Sequence, residues 1–345
     1  MKHQAAVGTR CRTGYVVLAM GLAAIALSAV ACGSASASDP ASTGSPAPAD
    51  ATASLPPPIV YTFVASTTRG QGTDLATAEP SVTTAAVPAT ATGQATAVPS
   101  QPAAEPTPDG QAAARQVRLP ILMYHYVEPL AANADILRVG LTVKPDAFAA
   151  QMAYLHQHGY VTVSLYDLMD AITLGRPLPA RAVVLTFDDG YRTLMDNVVP
   201  VLQPYGYTGT VFVITQFMDD GMPQYLTWPQ AESLYAQGWK IEPHTKTHEN
   251  LAGRGRDFQL YEMLGSVQTV AAHIGTTPRF IAYPSGKYDG LTLELTREMN
   301  LWGGVTVDFG RVHGFADRYK LTRVRIDGNG ALQDFINGVE GDLKP

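Results

Sequence analysis

Residues 182–190 read AVVLTFDDG, in which six apolar or β-branched residues run directly into Asp188, Asp189 and Gly190. A short apolar run that ends at a turn signal is typical of a buried strand in a parallel sheet. Asp-Asp-Gly suits an ordinary turn or helix cap as well as a site at the end of a strand. In an extended segment the two carboxylates point in opposite directions, so one can bind a metal while the other acts separately.

The same alternation of short apolar runs and longer helix-period segments continues on both sides of this strand. The predicted strands are 121–124, 160–163, 182–187, 209–214, 239–242, 279–283, 303–307 and 321–326. The predicted helices are 145–158, 191–205, 228–237, 256–274 and 291–300. Repeats of this kind predict a parallel α/β fold, either a barrel or a doubly wound sheet, and periodicity alone does not choose between them.

Two other predicted strands also end in polar clusters. HTKTH at 244–248 follows strand 239–242, and PSGKYD at 284–289 follows strand 279–283. Active sites of β/α folds gather at the carboxyl ends of the strands. On a helical turn His244 and His248 would project to one side, and with one aspartate they would make a three-ligand site of the catalytic zinc type. A solvated or core histidine pair is the alternative.

Residues 33–118 differ in composition from the rest of the chain. They contain 12 of the 25 prolines and no lysine, and Ala, Thr, Ser and Pro make up most of them. A segment so poor in large apolar residues cannot bury enough surface to offset its ordering entropy. We therefore expect a disordered linker at 33–118 and a single folded unit at 119–345.

The first 32 residues have the features of an export signal. Basic residues precede a charge-free apolar run at 15–31, and Cys32 follows Ala-Val-Ala. This order resembles a bacterial lipobox, in which the cysteine is lipidated, although Ala-Val-Ala also reads as an ordinary signal peptidase site. We expect an extracytoplasmic lipoprotein anchored through Cys32 to the outer face of the cell membrane. Plain secretion and an uncleaved membrane anchor are the alternatives.

Charge and cysteine content exclude two classes of protein. The chain of 345 residues has 24 basic and 30 acidic residues, which provides no electrostatic footprint for nucleic acid. Its two cysteines, Cys11 and Cys32, both precede the predicted folded unit and cannot form a disulfide framework within it. We expect no nucleic-acid partner and a monomer.

Three segments resemble the polysaccharide deacetylases, also described as the NodB-homology domain or carbohydrate esterase family 4. They are TFDDGYRTLMDNVVPVLQPYGYTGTVFVIT at 186–215, YLTWPQAESLYAQGWKIEPHTKTH at 225–248 and FIAYPSGKYDG at 280–290. The resemblance extends over most of the predicted folded unit. It implies a distorted (β/α) barrel of seven or eight strands.

The resemblance also implies roles for individual residues. Asp188 matches the general base, and Asp189, His244 and His248 match the ligands of a divalent metal, usually Zn²⁺. Hydrolysis of an acetyl group then follows from polarisation of the carbonyl and water by the metal, with Asp188 taking a proton. The implied oxyanion donor, besides the metal, is a backbone N–H at or near Ser285. The same resemblance places Tyr283 and Pro284 along the substrate groove.

The sequence departs from the family pattern at four places. Pro243 and Glu242 replace the usual Ser and Gly before the first histidine, and Ala282 replaces an Arg that orients the base. The late Leu-x-His motif that supplies the general acid is not recognisable. Ala282 and the AYPxG wording resemble the extracellular branch of the family, in which a histidine matching His125 faces the site. His125 is our candidate for the catalytic acid, and His313 is a second histidine that could serve.

The function that we predict is metal-dependent hydrolysis of N-acetyl groups on an extracellular amino-sugar polymer such as peptidoglycan, poly-N-acetylglucosamine or a chitin-like glycan. The reaction cleaves a carbon–nitrogen bond. An O-deacetylase of another polysaccharide, a sugar-binding protein that has lost catalysis, and a metal-dependent amidase or phosphodiesterase are the alternatives.

Overall fold

The computed structural model describes residues 105–341. The predicted export signal, Cys32 and the linker as far as residue 104 lie outside these residues. The strands are β1 (Gln116–Arg118), β2 (Ile121–Tyr124), β3 (Tyr126–Val127), β4 (Thr142–Val143), β5 (Val161–Thr162), β6 (Ala182–Phe187), β7 (Thr210–Val213), β8 (Lys240–Pro243), β9 (Phe280–Ala282), β10 (Gly303–Phe309), β11 (Val312–Gly314) and β12 (Leu321–Arg325). The α-helices are α1 (Ile136–Leu141), α2 (Pro145–Gln157), α3 (Leu165–Leu174), α4 (Thr193–Asn197), α5 (Val199–Leu202), α6 (Thr215–Asp219), α7 (Trp228–Ala236), α8 (Arg256–Ile274), α9 (Gly290–Glu298) and α10 (Leu332–Glu340).

Seven strands form a nearly closed parallel barrel. Their order is β8-β7-β6-β2-β12-β10-β9, and β5 pairs with β6 beside this path. All of these pairings are parallel. The barrel confirms the fold implied by the family resemblance. It excludes the doubly wound sheet, the alternative that periodicity had left open.

Side chains bridge the remaining gap in the barrel, between β8 and β9. The carboxylate of Glu242 on β8 accepts the backbone N–H groups of Arg279 and Phe280, at 3.0 and 2.9 Å. Its other oxygen accepts the hydroxyl of Tyr166 at 2.8 Å. Burial raises the pKa of Glu242 to about 7, although these hydrogen bonds act in the opposite direction. Glu242, which replaces a glycine of the family pattern, thus joins the two edges of the barrel.

The alternation of side chains along β6 sets the direction of the first aspartate. Val183, Leu185 and Phe187 pack in one apolar cluster with residues of α2, whereas Val184 belongs to a second cluster on the opposite face. Successive side chains of a strand point to opposite faces. The face of Val184 continues through Thr186 to Asp188, which therefore points into the barrel.

The folded part begins before residue 119, where we predicted its start. β1 pairs antiparallel with β11, and Arg118 donates to the carbonyls of Glu340 and Gly341 at the end of α10. The predicted linker is therefore wrong for residues 116–118, which add a strand to the domain. Composition alone did not show this, because an antiparallel partner nearly 200 residues away leaves no local signal.

One predicted helix is broken. Residues 191–205 contain α4, α5 and a 3₁₀ turn at Gln203–Tyr205 in place of one continuous helix. Pro200 explains the interruption, because proline has no N–H to donate and clashes with the preceding turn. Within residues 105–341, no helix is both long enough and apolar enough to cross a membrane.

Candidate active site

Three predicted metal ligands converge at the carboxyl ends of the strands. The Oδ1 atom of Asp189 lies 3.5 Å from Nε2 of His244 and 3.4 Å from Nε2 of His248. The ligand atoms of the three residues all lie within 4.8 Å of one another. Asp189 Oδ1 is buried and has no hydrogen-bond partner. A buried carboxylate oxygen without a donor, facing two imidazole nitrogens, fits a divalent cation such as Zn²⁺.

The orientation of His244 is fixed by the neighbouring strand β9. Its Nδ1 lies 2.8 Å from the carbonyl oxygen of Ala282. A carbonyl only accepts, so Nδ1 carries the proton and the lone pair of Nε2 is directed toward Asp189. Burial lowers the pKa of His248, and the charge of His244 lowers it further. Both effects favour the neutral form of His248 that a metal requires.

The segment between the two histidines is a loop, which corrects the helical turn that we predicted. Thr245 and His248 both have a φ of 63°. The Thr245 hydroxyl accepts the backbone N–H of His248 at 3.1 Å. Glu262 on α8 accepts the N–H groups of Lys246 and Thr247 at 3.0 and 2.9 Å, and the Thr247 hydroxyl at 2.5 Å. The side chain of Glu262 therefore holds the loop in the shape that brings both imidazoles to Asp189.

Left-handed backbone is concentrated at this site. Among residues 105–341, five non-glycine residues have a positive φ: Asp189, Thr245, His248, Ser285 and Asn300. Four of the five lie in the three strand-end segments. We predicted opposite directions for the Asp188 and Asp189 side chains on the assumption of extended backbone. Asp189 has a φ of 70°, so this assumption is wrong for it. Such conformations cost free energy and are retained where the surrounding structure enforces them.

Asp188 is held by a buried arginine that the sequence analysis did not identify. Nη1 and Nη2 of Arg323 each lie 2.7 Å from one oxygen of Asp188. Arg323 also donates to the carbonyl of Thr306 and the hydroxyl of Thr186. The two charged side chains are 1% and 2% exposed. Burial would raise the pKa of Asp188, but the charge and hydrogen bonds of Arg323 outweigh it and hold this pKa well below its usual range.

Arg323 also explains the absence of an arginine at Ala282. The guanidinium reaches Asp188 from β12, which lies two strands away from β6 in the barrel. The sequence signal for it was an arginine within the predicted strand 321–326, which holds Arg323 and Arg325, and Arg323 lies on the same face as Leu321. Alternation along a strand places Leu321 and Arg323 on one side.

His125 lies beside Asp188, as we predicted. It follows β2, and its Nε2 is 3.9 Å from Oδ2 of Asp188. Burial lowers the pKa of His125, whereas the charges of Asp188 and Asp189 act in the opposite direction. His313 is a different case, because it is buried in β11 and its Nε2 donates to the carbonyl of Leu119 at 2.9 Å. Leu119 precedes β2, at the end of the barrel opposite the site, so His313 is not a second acid.

The third segment contributes less side-chain surface than we predicted. Tyr283 is fully buried, and its hydroxyl donates to the carbonyl of Tyr319 at 2.8 Å. Pro284 is also buried, whereas Ser285 is exposed, with a φ of 53°. A Cβ atom at Gly304 would collide with the Tyr283 ring, which explains the glycine there. The Tyr283 side chain supports the fold beneath the site and does not line a groove.

Comparison with known proteins identifies the family. The sequence profile of the polysaccharide deacetylases matches residues 175–303. The Bacillus subtilis protein YxkH, named as a polysaccharide deacetylase, is 31% identical over 212 residues, which are 61% of this chain and 72% of YxkH. The chain belongs to the polysaccharide deacetylase family. This membership confirms the resemblance found in the three sequence segments.

This polysaccharide deacetylase is also similar to one further named protein and to one solved structure. The poly-β-1,6-N-acetyl-D-glucosamine N-deacetylase of Staphylococcus epidermidis is 24% identical over 234 residues, 63% of this chain and 78% of that protein. The structure of the Streptococcus pyogenes deacetylase PplD in complex with acetate superposes with a TM-score of 0.61 and 29% identity. The structural alignment covers 66% of this chain and 100% of the PplD chain.

Proposed function

We propose that this polysaccharide deacetylase removes N-acetyl groups from an extracellular amino-sugar polymer, with Zn²⁺ held by Asp189, His244 and His248. One observation carries the proposal: the three ligand atoms lie within 4.8 Å of one another, and the residue before Asp189 is Asp188, a second buried carboxylate. The name of the Staphylococcus epidermidis relative supports an amino-sugar substrate. Peptidoglycan and chitin-like glycans are substrates of the same chemistry.

The bound cation supplies a Lewis acid for the acetyl carbonyl and lowers the pKa of water. Asp188 accepts one proton from the attacking water as the oxygen–carbon bond forms. His125, beside Asp188, gives a proton to the leaving nitrogen as the carbon–nitrogen bond breaks. The products are acetate and the free amine of the sugar. The backbone N–H of Ser285 is the donor that we propose for the developing oxyanion.

The Arg323–Asp188 pair suits this reaction because it keeps the base ionised and oriented. Two hydrogen bonds fix the plane of the carboxylate, so the remaining lone pairs of its oxygens have a defined direction. A base held in place before the substrate arrives needs no reorganisation during the reaction. Since Arg323 is itself bound by Thr306 and Thr186, the pair moves with the barrel and not with a loop.

The cellular setting belongs to the same proposal. We propose that the chain is exported and attached by lipid at Cys32 to the outer face of the membrane, where it acts as a monomer on the polymer. Both the linker composition and the cysteine after Ala-Val-Ala support this arrangement.

Acetate release from a panel of acetylated glycans tests the function. The purified chain is stripped with a chelator, reloaded with Zn²⁺, and assayed on β-1,6-linked and β-1,4-linked N-acetylglucosamine oligomers and on an O-acetylated xylan. We expect release from an N-acetylated oligomer that is lost with the metal and restored by Zn²⁺. Release from the O-acetylated polymer alone would replace the N-deacetylase by an O-deacetylase. A fully Zn²⁺-loaded chain that releases acetate from none of them would favour a sugar-binding protein.

A further inference from the structure

A column of stacked side chains stands beside the proposed active site. Arg138 lies over one face of the Tyr126 ring, with Cζ 3.3 Å from the ring centroid. Tyr126 stacks on Tyr191, with centroids 3.8 Å apart, and Tyr191 stacks on Tyr225 at 5.3 Å. Phe217 packs against Tyr225 at 5.0 Å. Tyr126 and Tyr191 therefore have both ring faces covered, whereas Tyr225 has one face against Tyr191 and meets Phe217 at a tilt of 49°. The column presents mainly ring edges and hydroxyl groups to its surroundings.

The column is joined to the site by short stretches of chain. Tyr126 directly follows His125, and Tyr191 lies two residues after Asp189. Tyr225 is bridged to Tyr191 by an antiparallel backbone pair. The hydroxyls of Tyr126 and Tyr191 are hydrogen-bonded to each other. A ligand along this column would lie next to a group bound at the three metal ligands.

A cavity of about 510 Å³ opens on the column. Besides the three tyrosines, its lining includes Arg138, Glu128 and Arg192. This volume lies within the usual range for small-molecule sites. Arg138 and Glu128 form an ion pair, so their charges balance. The Nε atom of Arg192 donates to the carbonyl of Pro223 at 3.1 Å. Because Arg192 is the remaining charged residue of the lining, the net charge of the lining is +1.

The electrostatics of the lining favour oxygen-rich neutral groups over cations. The edge of an aromatic ring carries the positive part of its quadrupole and the face carries the negative part. Cations bind to ring faces, and in this column both faces of Tyr126 and Tyr191 and one face of Tyr225 are covered. The exposed edges, the hydroxyls and the positive charge of Arg192 suit hydroxyl and acetyl oxygens. An ammonium group finds no open face on Tyr126 or Tyr191 and is repelled by Arg192.

We propose that this cavity binds the sugar next to the one that is deacetylated, and that it prefers a neutral N-acetylated ring to a cationic deacetylated ring. The inference rests on the proposed function, because it assigns the neighbouring unit of the same polymer. An enzyme with such a subsite acts poorly beside a unit that it has already deacetylated. The product is then a polymer with spaced amines and not with long deacetylated blocks.

Two ratios test the subsite with Zn²⁺-loaded chain. The first is kcat/KM for a β-1,6-linked N-acetylglucosamine tetramer divided by kcat/KM for the monomer. The second is kcat/KM for the fully acetylated tetramer divided by the value for a tetramer with one glucosamine unit. Tyr225→Ala is expected to lower the first ratio about tenfold. Arg192→Glu is expected to remove most of the preference in the second ratio, because the net charge of the lining changes from positive to negative.

Tyr205→Ala is the matched control, because Tyr205 is a partly buried, stacked tyrosine that lies before β7, at the opposite end of the barrel. Arg192 is exposed, so its variant remains informative if Tyr225→Ala does not fold. Ratios unchanged from wild type in Tyr225→Ala and Arg192→Glu would overturn the subsite while leaving the deacetylase intact. A Zn²⁺-loaded wild-type chain that releases acetate from neither tetramer, nor from the β-1,4-linked oligomers, would overturn the proposed function and the subsite with it.

Discussion

At the scale of single residues, the most informative pair is Asp188 and Arg323. Both are buried, so neither charge is stabilised by water, and each depends on the other. Replacing one member of such a pair leaves an uncompensated buried charge. The pair therefore constrains substitution at either position much more tightly than an exposed ion pair would.

Arg323→Lys tests whether this pair orients the base. Lysine keeps the positive charge but cannot form the two parallel hydrogen bonds to Asp188 together with those to Thr306 and Thr186. We expect kcat for acetate release to fall by about 10- to 100-fold, with little change in KM, because the carboxylate loses its fixed direction. Zn²⁺ content and a far-UV spectrum confirm that the variant is folded.

Arg325→Lys is the control for this substitution, since Arg325 lies on the same strand and is exposed. Its kcat should match that of wild type. An Arg323→Lys variant with wild-type kcat would show that the guanidinium fork is not needed to position Asp188.

Several site residues were predictable from the sequence, and others were not. Position and type were both visible for the residues that lie in segments directly after a strand and fall within the family pattern: Asp188, Asp189, His244, His248 and His125. Arg323 was not identified because its partner is 135 residues away, and only the three-dimensional order of strands brings them together. The groove position expected for Tyr283 was wrong, because the resemblance of a sequence motif does not show which side of the backbone a ring occupies.

At the scale of elements, the loop 244–248 depends on α8 for its shape. Glu262, near the first third of α8, accepts two backbone N–H groups of the loop that have no place in a helix or strand. A loop with left-handed residues is stable only if its surroundings compensate the strain. The metal site is therefore built by a helix that contributes no ligand to it.

Glu262→Ala is expected to weaken Zn²⁺ binding by about 10- to 100-fold, because the Thr247 N–H loses its acceptor, the Lys246 N–H keeps only the backbone carbonyl of residue 262, and the histidines lose their alignment. The measurement is competition with a chromogenic chelator. Glu262→Gln is the matched variant, since its amide oxygen can still accept both N–H groups, and it should retain most of the affinity. Wild-type affinity in Glu262→Ala would contradict the supporting role of Glu262.

The β1–β11 pair contains a histidine whose charge affects stability. Burial lowers the pKa of His313 to about 4, from an ordinary value of 6.5. The unfolded chain then binds a proton between pH 6.5 and 4 that the folded chain does not bind. The contribution of His313 to the free energy of unfolding is complete above pH 6.5 and is lost as the pH falls toward 4. The free energy of unfolding falls by at most about 1.4 kcal/mol per pH unit from this group.

His313→Gln should reduce this loss of stability in acid, because glutamine has no proton to bind and can still donate to the Leu119 carbonyl. Urea unfolding at pH 7 and pH 4.5 measures the difference. His156→Gln is the control, since His156 is exposed. Equal losses of stability in wild type and His313→Gln would show that His313 does not couple folding to pH.

At the scale of the whole molecule, the barrel was predictable as a parallel α/β fold but its closure was not. The repeated strand–helix units were predictable from the sequence, because burial on both faces makes the strands almost entirely apolar and so easy to recognise. Closure between β8 and β9 depends on Glu242, a charged residue that pattern analysis treats as an interruption. The start of the domain was also missed, since Gln116–Arg118 becomes a strand only by pairing with Val312–Gly314.

The proposed attachment of the molecule is tested by Cys32→Ser. Lipid at Cys32 would hold the chain on the membrane, so the variant is expected to move to the soluble extracellular fraction. Cys11→Ser is the control, because Cys11 lies within the predicted export signal. Cell fractionation with an antibody to the folded domain is the measurement. A Cys32→Ser chain that stays with the membrane would favour an uncleaved helix or another attachment.

The central claim is that Asp188 is the base of a metal-dependent deacetylase. Its most direct test is acetate release from β-1,6-linked N-acetylglucosamine oligomers by Zn²⁺-loaded wild type and Asp188→Asn, with Zn²⁺ content and thermal unfolding measured on the same samples. We predict that Asp188→Asn unfolds at a lower temperature than wild type, because Arg323 loses its charged partner. At the assay temperature it is folded and binds Zn²⁺ but releases no acetate above the uncatalysed background. Turnover by Zn²⁺-loaded Asp188→Asn at a rate near that of wild type would contradict the claim.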